Sequence, residues 1–129
     1  NNNDNLFGDD NDNQIFGNDG NDVIKSGKGN DIIDGGSGND LIDASKAQFV
    51  WKIEGGFGDD VIIGVLTENI IIGGGDGNDT ITSGGGNDSI WGGSGNDTIS
   101  VSGGDNYIYG ERINLFLYSF IWGDQNSFY

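Results

Sequence analysis

A nine-residue repeat constrains the fold of this chain more than any other feature. Three copies show it clearly: GGSGNDLID at 35–43, SGGGNDSIW at 83–91 and GGSGNDTIS at 92–100. The consensus is G-G-x-G-N-D-x-Ile-x, with aspartate at position 6 and an aliphatic residue at position 8. Self-similarity at a short fixed period is typical of solenoids, in which each repeat packs only against its neighbours.

The register of the repeat extends over nearly the whole chain. We assign position 8 to Leu6, Ile15, Ile24, Ile33, Ile42, Ile62, Ile71, Ile81, Ile90, Ile99, Ile108, Leu117 and Phe128. We interpret Gly73 as a single inserted residue. We therefore expect one domain over 1–129, with regular repeats at 4–43 and 55–110, an irregular excursion at 44–54, and degenerate repeats at 111–129 as a candidate C-terminal cap.

The unit resembles the GGxGxDxUx nonapeptide of the RTX (repeats-in-toxin) family, secreted calcium-binding proteins whose repeats form a parallel β-roll. The resemblance covers residues 4–110 well and the remainder poorly. It implies several bound calcium ions, bacterial type I secretion, and an extracellular or cell-surface location.

The residue types explain how such a unit folds. The last three residues, x-U-x, form a short strand whose middle side chain points inward while its neighbours point outward. The six preceding residues turn the chain, where glycine permits positive φ and close backbone approach. Two repeats complete one flattened coil of 18 residues, as in 24 to 42. The prediction is an all-β parallel β-roll, a two-faced β-solenoid of about 13 repeats with a thin aliphatic seam.

The position-6 aspartates predict the metal chemistry. Each turn places this carboxylate beside that of the repeat two units away, with glycine carbonyls facing the gap. Ca²⁺ takes six to eight oxygen ligands, whereas Mg²⁺ demands a tighter octahedron, so we expect roughly five to eight Ca²⁺ ions. The alternative is a set of solvated turns without metal. The candidate metal-binding residues are Asp4, Asp22, Asp31, Asp40, Asp60, Asp79, Asp88, Asp97, Gly20, Gly29, Gly35, Gly38, Gly55, Gly58, Gly77, Gly86, Gly92 and Gly95. The resemblance implies the same role for Asp22, Asp31, Asp40, Asp60, Asp79, Asp88 and Asp97.

Alternate repeats lie on opposite edges of the roll, so position 6 divides into two columns. The first column runs through Asp4, Asp22, Asp40, Asp60, Asp79 and Asp97. The second runs through Asn13, Asp31, Asn69, Asp88, Asn106 and Asn126. Because asparagine dilutes the second column, we expect calcium to bind mainly along the first edge.

Composition excludes several classes of function. The net charge is −16 and 33% of residues are hydrophobic, which is typical of a chain that stays disordered until ions neutralise it. There is no cysteine or histidine, so thiolate sites and the usual general base are missing, and we expect no enzyme. Nucleic acid and acidic lipid would be repelled, and no segment suits membrane insertion. The lack of methionine predicts a processed product or a fragment.

One outward face is rich in large apolar groups, more than a monomer usually leaves bare. The candidate partner-binding residues on it are Phe16, Ile70, Ile72, Trp91, Tyr107, Tyr109 and Tyr129. Cover by segment 44–54 or by the C-terminal segment, self-association, and a polysaccharide stacking on the rings are the three interpretations.

We interpret the chain as a non-enzymatic extracellular calcium-binding β-solenoid with a structural or adhesive role. It folds on binding Ca²⁺. If the C-terminal segment does not cap the last coil, two outcomes remain: the chain is part of a longer repeat array, or the rods stack head to tail into a fibre. One alternative is a calcium-dependent export or folding module of a longer secreted RTX enzyme, toxin or adhesin. Another is a carbohydrate-binding module that uses the aromatic face.

Overall fold

Short parallel strands wind into a solenoid in the computed structural model, which describes residues 2–111, 116–119 and 127–128. Within these residues the strands are β1 (Asn5–Phe7), β2 (Gln14–Asp19), β3 (Val23–Lys25), β4 (Asn30–Ser37), β5 (Leu41–Asp43), β6 (Phe49–Phe57), β7 (Val61–Ile63), β8 (Ile71–Asp76), β9 (Thr80–Thr82), β10 (Ser89–Ser94), β11 (Thr98–Val101), β12 (Tyr107–Glu111), β13 (Phe116–Ser119) and β14 (Ser127–Phe128). The odd-numbered strands form the first sheet and the even-numbered strands form the second. The described residues include no helix, and so none that could span a membrane.

The core is a seam of isoleucines between the two sheets. Strand pairing places Ile24 against Ile42 and Ile42 against Ile62, so inward side chains stack coil upon coil. Ten of the seam isoleucines are at most 1% exposed: Ile24, Ile33, Ile42, Ile53, Ile62, Ile72, Ile81, Ile90, Ile99 and Ile108. Burying a side chain of this size contributes about 1.5–3 kcal/mol. The predicted all-β parallel roll with 18-residue coils is confirmed.

The segment 44–54 is part of the roll, not an excursion from it. Its second half belongs to β6, which pairs with β4 on one side and β8 on the other. Val50 and Ile53 face inward and are buried, while Trp51 is an extra residue at a bulge and stands 70% exposed. Sequence reasoning missed this strand because its turn lacks the glycines of the repeat. The described residues therefore hold fourteen strands against about thirteen predicted repeats.

The register around β8 differs by one residue from the prediction. Ile72 stands opposite Ile53 and Ile90 and is fully buried, so it occupies position 8, while Ile71 is 44% exposed. Gly73 pairs in register with Trp91, so the inserted residue precedes the strand. Three consecutive isoleucines fit either register by hydrophobicity alone. A slip of one residue moves every side chain to the opposite face.

Replacing Ile72 and Ile71 by alanine tests this register. In the calcium-loaded protein, Ile72→Ala is expected to lower the free energy of unfolding by about 2–5 kcal/mol, because it leaves a cavity in the seam. Ile71→Ala is expected to change it by about 0.5 kcal/mol or less, as surface substitutions do. Denaturant melts followed by circular dichroism measure both. A larger loss in Ile71→Ala than in Ile72→Ala would contradict the register.

Candidate calcium-binding edge

The first edge, formed by the turns that precede the first-sheet strands, carries a continuous ladder of aspartates. The backbone N–H of Asp22 donates to Asp40 Oδ1 at 2.8 Å, and the N–H of Asp40 donates to Asp60 Oδ1 at 2.7 Å. The same bond joins Asp4 to Asp22, Asp60 to Asp79 and Asp79 to Asp97. One oxygen of each carboxylate from Asp22 to Asp97 is therefore engaged by the neighbouring coil.

The second carboxylate oxygen has no partner along most of this ladder. The Oδ2 atoms of Asp22, Asp40, Asp60 and Asp79 are buried and accept no hydrogen bond within the described residues. Burying an ionised carboxylate without a compensating partner costs free energy, so we expect these four oxygens to bind a positively charged ligand. Asp4 is exposed at the start of the ladder.

Glycines complete a cradle around each unpartnered oxygen. A Cβ added to Gly35 would collide with Asp40 Oδ2 and with the carbonyl oxygen of Gly55. A Cβ on Gly55 would meet Asp60 Oδ2 and the Gly74 carbonyl in the same way. A position-1 glycine faces Oδ2 of the aspartate five residues later at Gly17, Gly35, Gly55, Gly74 and Gly92. A glycine carbonyl oxygen faces the same space at all of these except Gly92. Because glycine has no Cβ, each of these positions leaves a small space next to the oxygens that face it.

Two of these glycines were missed from the sequence. The assumed insertion at Gly73 hid Gly74, and Gly17 stands in a repeat that has asparagine at position 2. Other predicted glycines lie at position 4, where positive φ and contact with the preceding coil require glycine. Gly38, for example, has φ of 127° and faces the Gly20 carbonyl. The other predicted glycines at position 4 also have positive φ: Gly20, Gly29, Gly58, Gly77, Gly86 and Gly95. Gly104, which was not predicted, shares this position and sign of φ.

The donor set of the first edge fits Ca²⁺. Hard oxygen donors, both carboxylate and carbonyl, are what this ion prefers. Among the described residues no three acidic side chains converge on one point. An ion here would draw on carboxylate and carbonyl oxygens from successive coils, and its charge would compensate the buried carboxylates.

On the second edge, formed by the turns that precede the second-sheet strands, apolar side chains take two of the positions that aspartate holds on the first edge. Strand pairing places Val50 opposite Asp31, and the Ile70 N–H donates to Asp88 Oδ1 at 3.2 Å, so both apolar residues occupy position 6. The assignment of Asn69 to position 6 is wrong: its Oδ1 accepts the Asn87 N–H, which places it at position 5. Two buried apolar groups therefore interrupt this column.

Position 1 also differs between the edges. On the second edge it holds four buried residues that are not glycine, Ser26, Ala44, Ser83 and Val101. The two glycines of this column, Gly8 and Gly64, stand against the Asn13 amide oxygen and the Ile72 side chain, so neither faces a carboxylate. The Ser83 hydroxyl donates to Asp88 Oδ2, so this carboxylate is satisfied within the protein. Asp31 alone on this edge has an unpartnered Oδ2 among the described residues.

Burial raises the pKa of several of these carboxyls. Desolvation raises the pKa of Asp60 to about 7 and that of Asp79 to about 6, against hydrogen bonds from the preceding coil that lower it. Burial also raises the pKa of Asp88 to about 6, with the Ser83 hydroxyl opposing. It raises the pKa of Asp31, Asp40 and Asp97 in the same direction. Without a cation, the folded chain binds protons instead.

Acid is therefore expected to stabilise the metal-free fold. Between pH 4 and 7 the folded state binds more protons than the unfolded state, whose aspartates titrate near 3.8, so stability falls as pH rises. We expect more β-structure by circular dichroism at pH 5 than at pH 7.5 in chelator. The variant Asp60→Asn/Asp79→Asn should show a weaker pH dependence than the unmodified chain, and the part that remains comes from Asp88 and the other carboxyls whose pKa burial raises.

Asp9→Asn is the matched control for the acid effect. Hydrogen bonds from Asn11 lower the pKa of Asp9, so this group is ionised in both states over the same range. In chelator, Asp9→Asn should gain as much β-structure between pH 7.5 and pH 5 as the unmodified chain. Metal-free protein that gains no structure at pH 5 would contradict the prediction.

Some residues of the predicted partner-binding face are exposed, and others are buried. Phe16, Trp91 and Tyr107 are about half exposed, and Tyr109 stacks on Trp91 with ring centroids 5.5 Å apart. Ile70 and Ile72 are buried at 2% and 0% exposure, so their assignment to a partner-binding face is wrong, and it follows from the register error. Ile71 is the exposed member. Tyr129 lies outside the described residues.

Comparison with known families agrees with the ladder and its glycines. The family model described as the RTX calcium-binding nonapeptide repeat (4 copies) matches residues 7–42, 52–74 and 73–108. These ranges cover well over half of the chain, which therefore belongs to the RTX calcium-binding repeat family. No curated protein and no solved structure matches it significantly.

Proposed function

We propose that this chain is a non-enzymatic calcium-binding β-roll that folds outside the cell when calcium loads its first edge. The observation that carries the proposal is the row of buried, unpartnered Oδ2 atoms facing glycine carbonyls. Each ion would supply two positive charges to a chain of net charge −16. Binding free energy then becomes folding free energy.

We further propose that calcium loads the two edges unequally. The first edge offers five cradles that face a carboxylate oxygen, and four of them, at Gly17, Gly35, Gly55 and Gly74, also face a glycine carbonyl. On the second edge, Val50 and Ile70 take the place of carboxylates, and Ser83 satisfies Asp88. We therefore expect about five bound Ca²⁺ ions, which is the lower end of the range of roughly five to eight expected from the sequence.

Ion counting on paired variants tests the unequal loading. Asp60→Asn should remove about one ion, because the amide keeps the acceptor for the Asp40 N–H but places a neutral donor in the cradle. Asp88→Asn, on the second edge, should leave the count unchanged. Equilibrium dialysis with metal analysis, or native mass spectrometry, gives the count. Equal losses in the two variants would contradict the proposal.

We also propose that the chain is secreted, on the basis of its family membership. Repeats of this kind are typical of secreted bacterial proteins, which supports an extracellular location and type I export. A calcium-dependent export module of a longer protein would use the same first edge. Separately, head-to-tail assembly into a fibre stays a prediction. Electron microscopy with and without calcium tests it, and monomers in both conditions would contradict it.

A further inference from the structure

A groove of about 570 Å³ runs along the margin of the second sheet at which β4, β6, β8 and β10 begin. The aromatic side chains of Phe49 and Trp51 line it together with Ile71. Phe49 is 53% exposed and Trp51 is 70% exposed, because the bulge in β6 pushes the indole away from the sheet. We call this feature, together with the slot described next, the second-sheet groove.

A slot of about 350 Å³ continues the groove beside Trp91, and Ile71 lines both parts. One face of the Trp91 ring stacks on Tyr109, with an interplanar angle of 7°. The residue opposite Trp91 in the preceding coil is Gly73, which contributes no side chain of its own against the other face. The Glu54 carboxylate lies over Gly73, where a Cβ would collide with it. The slot is thus bounded by an indole face and a carboxylate.

Neutral amides flank the aromatic part of the groove. Asn69 Oδ1 accepts the Asn87 N–H at 2.7 Å, and Asn87 Oδ1 accepts the Asp105 N–H at 2.9 Å. These bonds fix the two amide groups and leave each Nδ2 as a hydrogen-bond donor along the groove. Polar groups held rigidly beside exposed rings provide directional contacts next to a flat apolar surface.

Charge narrows the choice of ligand. The groove is lined mostly by uncharged side chains, and Lys52 neutralises Glu54 through a 2.5 Å ion pair. The rest of the molecule is strongly acidic, so a nucleic acid, an anionic polymer or a second copy of this chain would be repelled. A large uncharged polymer meets no such barrier.

We propose that the second-sheet groove binds a neutral polysaccharide. Sugar rings present an apolar C–H face that stacks on Trp51 and Trp91, as apolar groups do on aromatic rings. Sugar hydroxyls then bond to the Asn69 and Asn87 amides and to the Glu54 carboxylate. Along the sheet, coils repeat about every 4.8 Å, so successive coils offer contacts at intervals that an extended sugar chain can follow. The groove lies apart from the calcium-binding edge, so the two proposals fail independently.

Affinity electrophoresis of the calcium-loaded full chain tests the proposal. Native gels contain laminarin, galactomannan, xyloglucan or dextran as neutral probes, and alginate as an anionic probe. We expect retardation by at least one neutral polymer, with the apparent affinity falling at least tenfold in Trp91→Ala and in Trp51→Ala. Gly73→Ala, which fills the slot, should weaken retardation similarly. Circular dichroism in calcium verifies that each variant is folded.

Phe7→Ala is the matched control, since Phe7 is an exposed aromatic residue of the first sheet, outside the groove. It should bind like the unmodified chain. No retardation by any neutral polymer overturns the proposal, and so does an equal loss in Phe7→Ala. Retardation by alginate alone overturns it in favour of a charge-based contact. Sedimentation showing a dimer that Trp91→Ala abolishes overturns it in favour of a second copy of the chain.

Discussion

Chelating calcium at pH 7.5 is expected to abolish the β-roll. The unpartnered Oδ2 atoms of Asp22, Asp40, Asp60 and Asp79 would then face one another along the first edge without a counter-charge. A domain is stabilised by only about 5–15 kcal/mol in total, which several uncompensated buried carboxylates can exceed. One ion at a hundredfold excess over its Kd contributes about 2.7 kcal/mol, so about five ions decide the equilibrium.

A calcium titration measures this effect by far-ultraviolet circular dichroism together with sedimentation velocity. The chain should change from an expanded, unstructured form to a compact β-rich form in one cooperative transition. Magnesium at the same concentration is the control, and it should not restore the fold, because it demands a smaller octahedral shell and keeps its waters. A β-rich spectrum that persists in chelator at pH 7.5 would refute the prediction.

Replacing Gly55 by alanine is expected to raise the calcium concentration at the folding midpoint by at least a hundredfold. The added Cβ would collide with Asp60 Oδ2 and with the carbonyl oxygen of Gly74. A backbone carbonyl held between two coils cannot move aside without displacing the coil. The substitution therefore removes the cradle space and strains the neighbouring turn.

Gly85→Ala provides the matched control for this substitution. A Cβ at Gly85 would meet only the Leu66 carbonyl oxygen at 3.5 Å, an ordinary contact distance. The same change of residue should therefore leave the calcium midpoint within about twofold, as expected for a tolerated surface substitution. Calcium titrations of the two variants under one set of conditions give the comparison. Similar midpoints in both variants would show that the Gly55 cradle is not where the ion binds.

Much of the candidate site could be predicted from the sequence because the repeat is strict there. Aspartate at position 6 and glycine at position 4 recur together, so the first-edge ladder from Asp22 to Asp97 follows from spacing alone. The hydrogen bond that the Ser83 hydroxyl donates to the Asp88 carboxylate could not be predicted in this way. It depends on which side chain stands five residues earlier and on the burial of both, and the repeat pattern treats serine and glycine there as equivalent.

By itself, then, the sequence determined the parallel roll, the isoleucine seam, the 18-residue coil and the aspartate column. These follow from a period that glycine turns and strand alternation impose locally. Only the tertiary structure decided three features: the register at Ile72, the pairing of β6 with β4 and β8, and the side chains that replace or satisfy the carboxylates of the second edge. Three adjacent isoleucines at 70–72 and the glycine-free segment 44–54 satisfy several local patterns equally well. The choice among them is made by pairing with the coils on either side, as in Ile72 between Ile53 and Ile90, because only that register buries every inward side chain.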